Sequence, residues 1–440
     1  MKLKCWPRES EYCEKHSRYT SPTVGVLISF LALLCSLNSV AQAPDATVID
    51  LRNAITQTLT DNPDLRAFGY QIRIQEARIM QAGIKPQPEL EVEVENVLGS
   101  GANDLFQSVQ ATASIAWILE RGVRERQVAT ARAGATLVES VISIHRLDAA
   151  AETARRYILC LVLQTRMVNA IDGVRLGQEA VEAIERRVNA ATTPGVELVR
   201  AQADLKRLEL TQEDIEHELV SAYYRLAAQW GLTQPNFSSV VGNLLDPPTV
   251  DSFETLQAEL AMNPNIERYL SLERLNDAQL RLEEARNRQS WRVTAGFRWL
   301  EQNSDHAFVA GLTIPLGAPN RNRGRVAEAR AAIAQTEAEK QAEQIRLETE
   351  LFVIYQELQH SIDLTDAFSD EILPLYEQAL EETRTAYESG RYSYQELNTA
   401  QQNVLSTRYE LIDAAMGIYQ NLIEIERLTG VSIEVPQLSQ

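Results

Sequence analysis

The stretch PELEVEVENV, Pro88–Val97, alternates acidic and aliphatic residues without a break. On an extended chain successive side chains point to opposite faces. Glu89, Glu91, Glu93 and Glu95 therefore share one face, and Leu90, Val92 and Val94 the other. Carboxylates two residues apart on a strand repel each other and require water, whereas the aliphatic row favours its removal. A ribbon so sharply two-faced belongs between an aqueous space and an apolar one.

Three further segments carry the same alternation, giving expected strands over 89–97, 107–118, 290–300 and 306–316. The second sets Val109, Ala111, Ala113, Ile115 and Trp117 against Ser108, Gln110, Thr112 and Ser114. The third sets Trp291, Val293, Ala295, Phe297 and Trp299 against Arg292, Thr294 and Arg298, and the fourth aligns Phe308, Ala310, Leu312, Ile314 and Leu316. Each is about as long as a tilted strand that crosses a bilayer, roughly 9 to 11 residues. Trp117, Trp291 and Trp299 lie near strand ends, where a lipid-facing aromatic belt sits. A soluble sandwich with one wet face is the other reading of this alternation. Four strands are too few to close a barrel, and open sheet edges cannot face lipid. Strands from other chains would then complete the ring: three chains give 12 strands, an even number, in a closed cyclic assembly. On that reading Glu89, Glu91, Glu93 and Glu95, with Arg292 and Arg298, line a net acidic lumen.

Outward from the strands the chain repeats itself. TDNPDLRAFGYQIRIQEARI from Thr60 matches AMNPNIERYLSLERLNDAQL from Ala261, an offset of 201 that sets Asn62-Pro63 on Asn263-Pro264. GVELVRAQADL from Gly195 matches YQELNTAQQNV from Tyr394, an offset of 199, and Gly231 falls on Gly430. A duplicated unit of this kind predicts a first structural repeat over 44–231 with its hairpin at 89–118. A linker or peripheral layer over 232–250 leads to a second repeat over 251–430 with its hairpin at 290–316, and a tail over 431–440. Each repeat reads as an amphipathic helix (48–83, 252–288), a strand pair, a very long helix (about 120–189, 322–388), a short break and a last helix (196–230, 394–429). No proline occurs between Pro88 and Pro194, so the first long helix can run about 70 residues, roughly 100 Å at 1.5 Å per residue. Its apolar stripe steps by threes and fours through Leu137, Val141, Ile144, Leu147, Ala151, Ala154, Ile158 and Leu161. Val404, Leu411, Ala415, Ile418, Leu422 and Ile425 give the last helix a heptad. Pro374 should kink the second long helix.

Bulk composition narrows the function classes. The 440 residues are 45% apolar and 23% charged, which excludes a polytopic helical membrane protein. Val24–Leu37 is an apolar run preceded by basic residues and followed by SVAQA, so a cleaved secretory signal peptide is expected over 1–43. A single N-terminal anchor is the alternative. Leu34 is too bulky for the residue that precedes a lipid-modified cysteine at Cys35. Without residues 1–43 the chain keeps 37 basic and 58 acidic residues, a net charge of −21, and one cysteine, Cys160. Such acidity argues against nucleic acid and against an anionic membrane surface as partners.

At this point the residues resemble the TolC family of outer-membrane efflux channels, over about residues 48–430. The resemblance rests on NPDLRA, QAGIKPQPELEVEVEN, ERGVRERQVATARA, TIPLGAPNRNRGRVAEARA and LPLYEQALEETRTAYESGRYSYQELNTAQ. The start of the first strand and the RNRG element are similar to the CzcC-like heavy-metal and cation-efflux branch. LERGVRER, Leu119–Arg126, stands where that branch carries a Gly-Gly-Lys-Arg turn. The resemblance implies a mainly α fold with a membrane β-barrel: a homotrimer with 12 strands in outer-membrane lipid above a periplasmic α-barrel of coiled-coil helices. It implies a periplasmic adaptor (membrane fusion) protein and an inner-membrane RND pump as partners, with no cofactor and no enzymatic activity of its own.

The breaks near 190–200 and 389–397 then fall together at the periplasmic end, which in the family is the entrance and the adaptor's docking surface. Gly195 and Gly390 are expected to permit the reversals. Glu197 and Glu396 have two readings: charges that favour a helix N-terminus, or members of contacts with Arg200, Arg391 or neighbouring chains that hold the entrance shut. Tyr392 and Tyr394 read equally as packing or as adaptor contacts. The five histidines are scattered, there is no Cys-x-x-Cys, and no phosphate loop or nucleophile constellation occurs. Selection of an exported metal would therefore lie with the pump. Three readings follow: a duct for heavy-metal cations, the same duct for drugs or other organic compounds, or a periplasmic coiled-coil adaptor. An adaptor would carry a single helical hairpin beside glycine-rich β-domains.

Overall fold

The computed structural model describes residues 48–97, 101, 108–120, 122–288, 290–316 and 322–430. The expected signal segment and its cleavage site, Arg121, and the C-terminal tail lie outside the described residues.

The amphipathic helix expected over 48–83 is divided. Strand β1 (Val48–Ile49) leads into α1 (Leu51–Asp61), and α2 begins anew at Pro63 and runs to Ala82. Proline has no N–H and suits only the first helical turn. Asn62 makes the restart: its side-chain oxygen accepts from the N–H groups of Asp64 (2.9 Å) and Leu65 (3.0 Å). Asn263 does the same for the second repeat, accepting from Asn265 at 2.6 Å, so that α5 (Phe253–Glu259) and one 3-10 turn precede α6 (Pro264–Arg286).

Each of these asparagines also donates to the chain where a later helix ends. Asn62 reaches the Gln229 carbonyl at 2.7 Å, just past α4 (Gly195–Ala227), and Asn263 reaches Leu428 near the end of α9 (Tyr394–Thr429). Gly231 (φ +80°) and Gly430 (φ +73°) turn the chain there in the left-handed region. A Cβ on Gly231 would stand 3.2 Å from Pro63 Cγ, so each Asn-Pro and its glycine are packed as one joint.

The strands are β2 (Glu89–Glu95), β3 (Gln110–Leu119), β5 (Trp291–Leu300) and β6 (Asp305–Thr313), in one antiparallel sheet of order β2-β3-β5-β6. β2 is shorter than expected because Asn96 takes φ +59°, which ends the extended run. β6 stops before Ile314, whose neighbour Pro315 has no N–H for the ladder. Segment 232–250 contributes β4 (Ser239–Val240), parallel to β1, and buries Phe237, Val240 and Leu244. The Tyr157 hydroxyl accepts from the Val241 N–H at 3.1 Å and lies 3.1 Å from the Ile49 carbonyl, riveting this layer to a long helix. Burial pushes the nearby Cys160 thiol up to about 12, so it packs as an inert apolar group.

That helix, α3 (Val123–Asn189), spans 67 residues and so roughly 100 Å at 1.5 Å per residue. Its counterpart is α7 (Arg323–Asp366) followed by α8 (Leu373–Glu388), with a wide π turn over Ala367–Ile372 between them. The kink expected at Pro374 takes this form: the missing N–H frees a carbonyl one turn earlier, and the widened turn absorbs it. Ala151, Ala154, Ile158 and Leu161 of α3 are buried, as are Val404, Leu411, Ala415, Ile418, Leu422 and Ile425 of α9. Each large aliphatic side chain so buried contributes about 1.5–3 kcal/mol.

Candidate functional site

The register fixes both faces of the sheet. Leu90, Ile115 and Ala295 stand in line across β2, β3 and β5, as do Val92, Ala113 and Phe297, and Val94, Ala111 and Trp299. β6 extends the rows with Ala310, Phe308 and His306. Trp117, Trp291 and Trp299 all belong to this apolar face. Leu90 (74%), Phe297 (69%) and Phe308 (66%) are largely exposed within the protomer, and an apolar patch of this extent marks a surface that meets lipid or protein.

The opposite face is polar. Glu95 binds Arg298 at 3.1 Å, and that guanidinium also donates to Thr112 Oγ1 (2.9 Å) and Gln110 Oε1 (3.1 Å). Arg292 pairs with Glu89. Both arginines reach over β3, where Ala116 is small and covered. Glu91 and Glu93 have no ion pair among the described residues, so the face keeps two uncompensated carboxylates. Gly296 makes the strand contact possible, since a Cβ there would collide with the Ala113 carbonyl oxygen. Among the described residues β2 and β6 each have one edge without a partner strand.

At the other end, α3–α4 and α8–α9 reverse side by side. The second reversal uses Gly390 at φ +77°, with Gly390 N–H on the Tyr387 carbonyl and Arg391 N–H on the Ala386 carbonyl, both 2.9 Å. The first reversal corrects the expectation for Gly195. Ala191 takes the left-handed position at φ +55°, with bonds from Ala191 to Val188 (2.9 Å) and Thr192 to Arg187 (3.0 Å), while Gly195 is simply the first residue of α4. The two turns have the same Schellman geometry, one built on alanine.

Glu396 accepts from the Ser393 N–H (2.7 Å) and hydroxyl (3.0 Å), an N-terminal cap. Glu197 lies in the first turn of α4. Among the described residues neither forms an ion pair with Arg200 or Arg391 within the protomer; Arg391 donates to Ser389 instead, at 3.0 Å. Arg391 and Tyr392 are exposed, whereas Tyr394 is buried.

Contacts that the sequence did not reveal, most of them made by residues it did not single out, join the two hairpins. Arg187 donates to the Tyr387 carbonyl at 2.6 Å and covers its ring at 4.8 Å. Tyr394 donates to Asp204 at 3.0 Å. Higher up, Glu377, Arg408, Asp172, Arg175, Glu179 and Arg384 alternate in charge through contacts of 2.5–2.9 Å that link α8, α9 and α3. Burial raises the Asp172 pKa, but bonds from Arg175 and Arg408 outweigh it and hold the carboxyl below the usual range. The spacing Asp172, Arg175, Glu179 was a readable signal for pairs within one helix, not for the partners across helices. Among the described residues no three His, Cys, Asp or Glu side chains group as a metal ligand set.

Residues 274–431 match the family described as "Outer membrane efflux protein". The cobalt-zinc-cadmium resistance protein CzcC of Cupriavidus metallidurans is 25% identical over 383 residues, covering 87% of this chain and 90% of that protein. The nickel and cobalt resistance protein CnrC of the same organism is 26% identical over 310 residues, 68% of this chain and 70% of that one. In three dimensions the chain superposes on CusC, a transmembrane channel, with a TM-score of 0.70 at 17% identity, covering 86% of this chain and 91% of that one. The two-faced sheet, the paired long hairpins and these similarities lead to one conclusion: the chain has the fold of the CusC channel, its residues 274–431 match the outer membrane efflux protein family, and along most of its length it is similar to the metal-resistance protein CzcC.

Proposed function

We propose that this protein is the outer-membrane duct of a tripartite efflux system that exports heavy-metal cations. Three copies pair the free edge of β2 in one chain with the free edge of β6 in the next, giving 12 strands with no open edge. The apolar face, with Trp117, Trp291 and Trp299, turns to lipid. Glu89, Glu91, Glu93 and Glu95 turn inward with Arg292 and Arg298. The helices continue the duct through the periplasm to tips around Gly195, Glu197, Arg200, Gly390, Arg391, Tyr392 and Glu396, where a periplasmic adaptor docks and an inner-membrane RND pump supplies the energy. The observation that carries the reading is the four-stranded sheet, exposed and apolar on one side, acidic on the other and unpaired at both edges. The metal cargo is supported by relatives named for cobalt, zinc, cadmium and nickel resistance. An acidic lumen favours cations without choosing among them.

The test is deletion of the gene in its host and complementation, with growth and intracellular metal read together. Sensitivity to cobalt, zinc, cadmium or nickel with metal retained is the expected result. Unchanged metal tolerance with sensitivity to dyes, detergents or antibiotics would overturn the metal cargo and leave a duct for organic compounds.

A further inference from the structure

At the root of the sheet, where β3 passes into α3 and β5 leaves α6, lies a cavity of about 610 Å³. Its walls include Glu120, Arg286, Arg288, Ser290 and Arg325, together with the first turns of α3 and α7. Arg286 is already neutralised by Glu283 at 2.7 Å, and the buried Glu283 is held in turn by the Asn322 amide at 2.7 Å. Among the described residues Arg288 and Arg325 have no ion pair, and Glu120 is the one acidic side chain that lines the cavity. The cavity is therefore cationic in a chain of net charge −19.

Backbone adds to this. Among the described residues no side chain hydrogen-bonds to cap the N-terminus of α3 or α7, and Asn322, placed to cap α7, gives its amide to Glu283. Two long helices thus begin at the cavity with uncapped N–H groups, each equivalent to roughly half a positive charge. Two free guanidiniums that can bind oxygens in pairs, together with two helix starts, suit a tetrahedral oxyanion better than a carboxylate or a halide.

We propose that this cavity binds a phosphate group. Its volume exceeds that of an inorganic ion and accommodates a phosphodiester with its glycerol. Glu120 directly follows β3 and Ser290 directly precedes β5, so the cavity lies at the edge of the apolar band, the depth of lipid headgroups. A headgroup phosphate and a free phosphate share the recognising chemistry. Only the lipid source depends on the membrane reading given above; anion binding does not.

The full-length protein, purified as its detergent-solubilised assembly and stripped of lipid, is titrated calorimetrically with inorganic phosphate and, separately, with a short-chain phosphatidylglycerol. Binding of at least one is expected. Arg288→Ala with Arg325→Ala should weaken it at least tenfold without loss of the assembly on unheated gels, and Glu120→Gln should tighten it several-fold. Phosphate binding supports a soluble oxyanion, and phosphatidylglycerol binding without phosphate binding supports the headgroup. Binding of neither, or equal affinity in the double variant, overturns the proposal. If the double variant does not assemble, Glu120→Gln decides, and an unchanged affinity there overturns it. Because the readout is binding to purified protein, failure of the metal-export experiment leaves this result independent.

Discussion

Tyr394, the first residue of α9, donates its hydroxyl to the Asp204 carboxylate of α4 at 3.0 Å, and Asn398 one turn later reaches the same oxygen at 3.3 Å. Burial first, and Asp204 second, push the phenol well above its ordinary value, so it remains a donor throughout the physiological range. This bond joins the second hairpin to the first. Tyr394→Phe keeps the ring packing and removes the bond, leaving Asp204 with less compensation. A loss of about 1.5–3 kcal/mol is expected for a hydrogen bond to a charged group. Hydrogen exchange in the first turns of α4 and α9 should accelerate, and unchanged exchange would show that the two hairpins are held by packing alone.

The two reversals differ by one methyl group. Ala191 occupies a left-handed position that costs an alanine about 1–2 kcal/mol, while Gly390 occupies the matching position at little cost. Ala191→Gly should raise the denaturation midpoint, and Gly390→Ala should lower it by a similar amount. A fall in stability for Ala191→Gly would mean that chain entropy in the unfolded state outweighs the relief of strain.

Asp172 gives a pH dependence of definite sign. Its folded-state carboxyl is held below the usual range by Arg175 and Arg408, against burial. The stabilisation is present above the unfolded carboxylate pKa and is lost as pH falls through the depressed folded value. Wild type should melt above Asp172→Asn at neutral pH, and the two curves should converge in strong acid. Divergence on acidification would contradict the assignment.

Gly296 faces Ser114 across β3 and β5, and a Cβ there would stand 2.6 Å from Ser114 Cα. Gly296→Ala must therefore push these strands apart. The expected outcome is loss of the heat-resistant assembly on gels, with the helical circular dichroism signal largely kept. An intact assembly would mean that the strands part locally without opening the sheet.

Among the described residues Glu91 and Glu93 form no ion pair, whereas Glu89 and Glu95 balance Arg292 and Arg298. If the acidic face lines the pore, Glu91→Gln with Glu93→Gln should lower the cation preference read from reversal potentials in planar bilayers, with assembly unaffected. Glu89→Gln with Glu95→Gln should instead leave two arginines uncompensated and weaken the sheet. Unchanged reversal potentials in the first pair would remove these carboxylates from the ion path.

Local physics made much of the fold legible in the chain itself. The two faces of the strands follow from a side-chain period of two, and the long helices from apolar steps of three and four without proline. The restart at Asn62-Pro63 is also present in the sequence, since the repeat aligns it with Asn263-Pro264, yet apolar periodicity alone carries one helix through each of them. What only the tertiary structure decided were contacts between segments far apart in sequence. Arg292 meeting Glu89, Tyr394 meeting Asp204, and Arg408 spanning Asp172 and Glu377 depend on strand register and helix rotation, which no single segment encodes. Ala191 replacing Gly195 as the turning residue was not legible either, because bonds from Ala191 to Val188 and from Thr192 to Arg187 hold an exposed alanine where isolated propensity favours glycine. Sequence periodicity determines which face of an element is apolar; only the packed structure decides which residue on another element that face meets.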